Sequence, residues 1–167
     1  APNKETIYSE YLPNYYSVQN EMTSTDQLVA YLRENTDIRV VYPKEELLAS
    51  KADNPEVLLY QKLDTHWNRA GAYIGAVSLA KELNIAMPTL GEISLEEEIS
   101  SSGDLAQMLN ISIKDGNVDY RISGISDLTT EYEKWDFNTE YIGHTPGADE
   151  RRLFVRRDSF SSALAPS

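Results

Sequence analysis

The sequence predicts a single α/β domain built around a parallel sheet. One observation supports the α/β class, and two support the single domain. Helical and extended patterns alternate through the first half of the chain in the order helix, strand, helix, strand, helix. The chain has 167 residues, about the length of one domain, which is enough to bury a core. It has no internal repeats and no low-complexity linkers. We therefore predict one domain over residues 1–167, with an insertion over about 87–147, where the pattern changes.

The elements of the first half are placed by apolar spacing and by residues that start and stop helices. They are a helix over 25–35, a strand over 37–42, a helix over 44–50, a strand over 57–61 and a helix over about 69–83. Asn68 stands where it caps the last of these helices. Gly71 and Gly75 lie inside it, and glycine costs a helix about 1 kcal/mol relative to alanine. We therefore expect this helix to approach a neighbouring element closely.

Shorter patterns predict the elements of the insertion and of the C-terminal part. They are a solvated charged face over 95–98, a short helix over 103–109 capped by Asp104, and a β-hairpin of 111–113 with 118–122. The polar and aromatic segment 129–144 is either a substrate-facing excursion or a further small sheet. A strand over 151–156 and a helix that begins at about 162 follow.

Composition excludes several classes of function. The net charge of −12 and the pI near 4.5 argue against a nucleic-acid partner and against binding to an anionic membrane surface, so a neutral or weakly charged ligand fits better. Without cysteine there is no disulfide, thiol catalysis or cysteine metal site. The sequence has no signal-peptide pattern and no apolar run of about 18 residues. It opens on Ala1 rather than Met, so we expect a processed or trimmed piece.

The candidate site combines an Asp and a His two residues apart with a distant serine. In extended backbone Asp64 and His66 share a face, and a carboxylate there can fix the imidazole tautomer and stabilise the imidazolium. Ser159 stands between a predicted strand end and a predicted helix start, with backbone N–H groups close to where an oxyanion would form. The three residues would supply the orienter, the base and the nucleophile of a serine acyl-transfer site.

Each of these residue choices has an alternative. Asp64 could serve only as a cap on the approach to the helix and His66 as a core histidine. A metal site of Asp64, His66 and His144 would have suitable ligand types. Asp158 is expected to support the serine turn by hydrogen bonding. The tyrosines near the N-terminus would either line a sugar-binding surface or, the favoured alternative, pack this segment against the body; they are Tyr8, Tyr11, Tyr15 and Tyr16.

Two motifs carry a resemblance to a known family. Asp64–Asn68 (Asp-Thr-His-Trp-Asn) followed by Gly71-Ala72, together with Arg157–Ser161 (Arg-Asp-Ser-Phe-Ser), resembles the SGNH-hydrolase-like domain of the bacterial alginate O-acetylation proteins. Related polysaccharide and peptidoglycan O-acetyltransferases share the pattern. Two short segments near the N-terminus, Pro2–Lys4 and Ile7–Pro13, and one between the motifs, Gly103–Leu105, are also similar to the family.

The resemblance implies a three-layer, flavodoxin-like α/β fold that is circularly permuted relative to ordinary SGNH esterases, since the Asp–His block precedes the serine. It implies that Ser159 is acetylated, that His66 acts as general base and then acid, and that Asp64 orients His66. The acetyl group would pass to a polysaccharide hydroxyl outside the cytoplasm. No cofactor is implied. The acetyl donor would be handed over by a membrane acyltransferase, and the protein would be periplasmic or anchored through a segment outside this sequence.

This sequence departs from the SGNH pattern at two points. Ordinary SGNH enzymes have Gly where Arg157 stands, so we expect a variant of the serine turn. The oxyanion glycine and asparagine normally follow the serine, and no residues here match them, so we expect the chain to be an excerpt of a longer domain. The predicted function is serine-dependent O-acetylation of a polysaccharide. The alternatives are a carbohydrate acetylesterase with the same triad and a non-catalytic polysaccharide-binding module.

Overall fold

The computed structural model describes residues 1–17, 20, 22–100, 103–113, 116–124, 131–132, 143–144 and 158–160. Its α-helices are α1 (Lys4–Ile7), α2 (Ser24–Asn35), α3 (Lys44–Asp53), α4 (Arg69–Glu82) and α5 (Asp104–Met108). Short 3₁₀ helices cover Ser9–Tyr11 and Leu90–Glu92. The strands are β1 (Ser94–Ser100), β2 (Asn117–Ser123), β3 (Glu131–Tyr132) and β4 (Gly143–His144). No helix in these ranges is long and apolar enough to cross a membrane.

The three predicted helices of the first half are confirmed. Helix α2 begins one residue earlier than predicted, at a capping box in which the Thr23 hydroxyl accepts from the Asp26 N–H and the Asp26 carboxylate accepts from the Thr23 N–H. Helix α3 extends three residues beyond the predicted end at 50. The side chain of Asn68 caps α4 by accepting from the Gly71 N–H at 3.1 Å, as predicted.

The two predicted strands of the first half are wrong. Residues 37–42 form no strand, and 57–61 form only an isolated antiparallel bridge between Tyr60 and Trp67. The reason is local: the chain turns back on itself after 61, and side-chain hydroxyls replace a neighbouring strand. The Leu58 N–H donates to the Tyr120 hydroxyl and the Leu59 N–H to the Tyr8 hydroxyl, at 3.1 and 3.0 Å.

The strand predicted over 118–122 is confirmed as β2, but its predicted hairpin with 111–113 is wrong, because β2 pairs with β1. The two strands are antiparallel, with Ser94 opposite Ser123 and Ser100 opposite Asn117. Residues 95–98 are therefore part of a strand rather than only a solvated face. Arg121 pairs across the ladder with Glu98 at 2.7 Å, which favours this partner.

The second small sheet pairs β3 with β4, also antiparallel, which favours the small-sheet alternative for 129–144. Both sheets in the described ranges are two-stranded and antiparallel, so the predicted parallel sheet is not seen there. The predicted strand over 151–156 and the helix from about 162 lie outside the described residues.

The core forms where α4 packs on the loop before it. Its buried members include Ile7, Tyr8, Leu47, Leu59, Tyr60, Trp67, Ala70, Ala72, Ile74, Val118 and Tyr120. Tyr8 thus packs as the favoured alternative predicts, whereas Tyr11, Tyr15 and Tyr16 are exposed. The close approach predicted from the two helical glycines is confirmed. A Cβ at Gly71 would collide with the Leu59 carbonyl oxygen, and one at Gly75 would lie 2.9 Å from the Trp67 ring.

Replacing Gly71 with alanine is expected to destabilise the protein by about 1–3 kcal/mol or more, because the added methyl overlaps a backbone oxygen that has no rotamer to move to. Gly91→Ala is the matched control, since a Cβ there meets nothing within 4 Å. Urea denaturation of both variants measures the free energy of unfolding. Equal stabilities would contradict the close packing of α4 on Leu59.

Candidate active site

Asp64 and His66 meet in a tight turn just before α4. One oxygen of Asp64, Oδ1, accepts from the His66 main-chain N–H at 2.9 Å and lies 2.6 Å from Nδ1 of the His66 ring. The predicted convergence of the two side chains is therefore seen, but a turn produces it rather than the extended backbone assumed from the spacing. The arrangement fixes the ring so that Nε2 points away from Asp64.

Ser159 lies at the other nitrogen of the ring. Its Oγ is 2.8 Å from Nε2 of His66, although the two residues are 93 positions apart in the chain. The structure thus brings all three predicted site residues together, in the order Asp64, His66, Ser159. The serine is exposed, whereas Asp64 and His66 are half-buried.

Phe160 and Trp67 join the serine turn to the histidine turn. The Trp67 indole N–H donates to the Phe160 carbonyl at 2.7 Å, and the Phe160 ring lies against both the His66 ring (4.7 Å between centroids) and the Trp67 ring (5.9 Å). Trp67 is 5% exposed, so its ring belongs to the core. No sequence signal indicated that its N–H holds the serine turn.

Asp158 supports the serine turn, as predicted. Its Oδ1 accepts from the Phe160 N–H at 3.1 Å, in the manner of an Asx turn. This N–H, which follows the serine, is therefore directed at a carboxylate and not at the position predicted for an oxyanion.

Helix α5 holds the other side of the Asp64 turn, and sequence reasoning missed this. The Asp104 main-chain N–H donates to Oδ2 of Asp64 at 2.9 Å, and the Leu105 N–H donates to the Leu63 carbonyl at 3.1 Å. Asp104 was expected to cap the helix, but Gly103 is the N-cap residue and Asp104 the first helical one. Its carboxylate instead accepts from the N–H and the hydroxyl of Thr65. The one available signal was the family-like segment 103–105.

Lys4 closes the same turn from the N-terminal segment. Its ammonium donates to the carbonyls of Gln61, Lys62 and Asp64, at 2.6, 2.8 and 3.2 Å. Burial lowers the pKa of Lys4, and the carboxylates of Asp64 and Asp104 oppose that change. No sequence signal identified this contact, because the residues lie about 60 positions apart.

Three side chains of the site are of the types that bind metal ions and lie close together. The ligand atoms of Asp64, His66 and Asp104 lie within 4.8 Å of one another, and no other such group exists in the described part of the chain. Each residue already makes hydrogen bonds within the protein, so the group is a connected polar network as it stands. The alternative third ligand, His144, lies in β4, and its side chain is outside the described residues.

Asp64 is held in its ionised form. Burial opposes ionisation, but hydrogen bonds from the main-chain N–H groups of His66 and Asp104, and the bond and charge of the His66 ring, outweigh it. The pKa of Asp64 is therefore below its ordinary value of 3.8. A carboxylate in this state can accept the Nδ1 proton of His66 throughout the neutral range.

This pKa predicts how acid acts on stability. A carboxyl group whose folded-state pKa is depressed contributes stability above its unfolded pKa, and that contribution is lost as the pH falls through the folded value. We expect the free energy of unfolding of Asp64→Asn to fall less steeply below about pH 4 than that of the parent. Urea titrations at several pH values measure this. Asp26, Glu10 and Glu92, whose pKa values are also lowered, keep part of the slope in both proteins. Identical slopes would contradict the network around Asp64.

A serine, a histidine and an aspartate hydrogen-bonded in this order have the form of a serine acyl-transfer site. The family model of the SGNH hydrolase-like domain of acetyltransferase AlgX matches residues 1–159, and the chain belongs to this family. The resemblance inferred from the two motifs is thereby confirmed.

A solved structure agrees with this fold. The chain is similar to the O-acetyltransferase domain of Pseudomonas putida AlgJ, with a TM-score of 0.52 and 19% sequence identity over 75% of this chain. The match covers 48% of the AlgJ chain, so this chain spans about half of that structure's length. No curated protein matches the sequence.

Proposed function

We propose that the protein is a serine-dependent O-acetyltransferase that moves an acetyl group through an acetyl-Ser159 intermediate to hydroxyls of an extracytoplasmic polysaccharide. The observation that carries the proposal is the chain of contacts from Asp64 to Nδ1 of His66, 2.6 Å, and from Nε2 to Oγ of Ser159, 2.8 Å. Membership of a family of acetyltransferases supports the choice of group transferred.

The first half-reaction loads the serine. Oγ of Ser159 attacks the carbonyl carbon of the donor's acetyl group while Nε2 of His66 takes the hydroxyl proton. Asp64 accepts the Nδ1 proton in a hydrogen bond and stabilises the imidazolium that forms. The tetrahedral intermediate collapses, and His66 returns the proton to the departing donor oxygen or sulfur. The product is an ester on Ser159.

The second half-reaction transfers the group. A hydroxyl of the acceptor gives its proton to Nε2 of His66 and attacks the acetyl-serine carbonyl. When the second intermediate collapses, the proton returns to Oγ of Ser159 and the acetyl ester remains on the acceptor. Water in place of the sugar hydroxyl would give an acetylesterase, so exclusion of water from this exposed serine decides between the two activities.

We extend the proposal to the surroundings of the site. The fold has three layers, with a parallel sheet in the middle, and its motifs are circularly permuted relative to ordinary SGNH esterases. The position of Asp64 and His66 before Ser159 in the chain supports this order. The protein works outside the cytoplasm, and a membrane acyltransferase hands over the acetyl donor. The chain forms one domain, with the insertion at about 87–147.

Product analysis tests the proposal. The protein is incubated with an acetyl donor and an oligosaccharide, and mass spectrometry measures acetyl groups on the sugar and on the peptide that contains Ser159. We expect both to appear, the peptide adduct first. Release of acetate from acetylated sugar without any transfer would show an esterase. Neither activity, together with saccharide binding in titration calorimetry, would favour the non-catalytic binding module.

A further inference from the structure

Asp104 is a second carboxylate at the histidine that the proposed chemistry does not use. Its Oδ2 lies 3.7 Å from Nδ1 of His66, on the side of the ring that Asp64 occupies. Its side chain is 29% exposed, comparable with the 28% of His66, so it belongs to the partly shielded wall of the site rather than to open surface.

This residue holds the two positions before His66 in different ways. Its main-chain N–H donates to Oδ2 of Asp64 at 2.9 Å. Its carboxylate accepts from the Thr65 N–H at 2.8 Å and from the Thr65 hydroxyl. One residue of α5 thereby binds the side chain of Asp64 and both polar groups of Thr65.

The consequence concerns the orientation of Asp64. Its Oδ1 contacts both the main-chain N–H and Nδ1 of His66. Because both contacts are made to one oxygen, they alone leave the carboxylate free to rotate about its Cβ–Cγ bond. The bond to Oδ2 removes this freedom, and the Thr65 contacts fix the backbone that carries both residues. Small displacements of a catalytic group cost large factors in rate, about 10²-fold for 1 Å.

We infer that Asp104 is a positioning residue of this site, which acts through Thr65 and Asp64 to keep the Asp64 carboxylate on Nδ1 of His66. The inference rests on the proposed function for its effect on rate. Its geometric content is independent of that function, because the hydrogen bond between Asp64 and His66 can be observed without turnover.

Two pairs of variants separate loss of the Thr65 contacts from loss of the side chain's bulk, and all of them keep the main-chain hydrogen bond from Asp104 to Oδ2 of Asp64. Asp104→Ala removes both acceptors for Thr65, whereas Asp104→Asn retains a carbonyl oxygen for the Thr65 N–H and an amide that can donate to the hydroxyl. Thr65→Val removes the hydroxyl at nearly constant shape, whereas Thr65→Ser retains it. Asp37→Ala, at an exposed loop position, is the matched control.

With a small activated acetyl ester, we expect Asp104→Ala to lower kcat by about 10- to 100-fold. KM should be unchanged, because the hydrogen bonds of Asp104 are made to Thr65 and Asp64. Thr65→Val should lower kcat in the same direction, and Asp104→Asn and Thr65→Ser should stay within about threefold of the parent, since they keep the contacts. A variant that is partly unfolded would have fewer active sites rather than a lower kcat at each site. The concentration of reactive Ser159 is therefore measured by active-site titration, and kcat is expressed per titrated serine.

Proton NMR supplies the readout that needs no turnover. The strongly downfield signal of Nδ1–H of His66, hydrogen-bonded to Asp64, should be present in the parent, in Asp104→Asn and in Asp37→Ala. It should be lost or broadened in Asp104→Ala. An unchanged signal and an unchanged kcat in folded Asp104→Ala would overturn the inference while leaving the proposed function intact. Full turnover by Ser159→Ala would overturn the proposed function, and the NMR comparison would still decide the placement of Asp104.

Discussion

Replacing Ser159 with alanine is expected to lower kcat for acetyl transfer by about 10⁵-fold or more, the loss seen when the nucleophile of a cooperative serine site is removed. The reason is that Oγ of Ser159 is the group placed on Nε2 of His66, and without it the acetyl group has no attachment point. Initial rates with an activated acetyl ester measure the loss. Mass spectrometry of the peptide that contains residue 159 checks that the acetyl adduct disappears.

A matched serine variant separates this effect from a general disturbance. Ser17 is exposed and lies outside the site, so Ser17→Ala should retain the parent rate and the acetyl adduct. The Phe160 carbonyl still accepts from the Trp67 indole when residue 159 is alanine, so the turn should remain folded. Acetylation that persists in Ser159→Ala would exclude Ser159 as the nucleophile.

The helices were predictable because their signals are local. The cap of α4 at Asn68 and the capping box of α2 at Thr23 and Asp26 are written within a few residues of each helix start. The glycines of α4 likewise predicted a closely packed neighbour, although no sequence pattern indicated that Leu59 makes the contact.

The strand over 118–122 was predictable, but the pairing of strands was not, because the partner of a strand lies elsewhere in the chain. The apolar run 57–61 has the composition of a strand, yet the hydroxyls of Tyr8 and Tyr120 take the N–H groups that a ladder would use. The sequence favours the nearest alternating run as the partner of β2, but β2 pairs with β1 from Asn117 to Ser123, and Arg121 forms an ion pair with Glu98.

The same division between local and distant contacts applies to the candidate site. Residue type and spacing led to Asp64, His66 and Ser159, and the structure brings their side chains together. Asp104 and Lys4 were missed, because each reaches the turn at Asp64 and Thr65 across about 40 to 60 residues of chain with a side chain that fits an ordinary surface position equally well. A composition pattern identifies reacting groups more readily than the groups that hold them.

Asp64→Asn is expected to lower kcat by about 10³- to 10⁴-fold at neutral pH while leaving KM nearly unchanged. An asparagine that turns its amide oxygen towards the Asp104 main-chain N–H keeps that hydrogen bond. Its NH₂ group then takes the place of Oδ1, which in the parent contacts both the main-chain N–H and Nδ1 of His66, so it donates to Nδ1 and the ring proton moves to Nε2. Nε2 then faces Oγ of Ser159 as a donor and cannot take the serine proton. Steady-state rates with the activated ester measure the loss, and Asp37→Asn is the control at an exposed position.

Turnover of Asp64→Asn within tenfold of the parent would contradict the role given to Asp64 and would point to its neighbour. Asp104 already lies 3.7 Å from Nδ1, close enough to accept a hydrogen bond after a small shift of the turn. The double variant Asp64→Asn with Asp104→Asn separates the two cases. If Asp64 alone orients His66, the second substitution adds little to the first, because the hydrogen bond it helps to position is already lost. If Asp104 substitutes for Asp64, the double variant falls far below either single one.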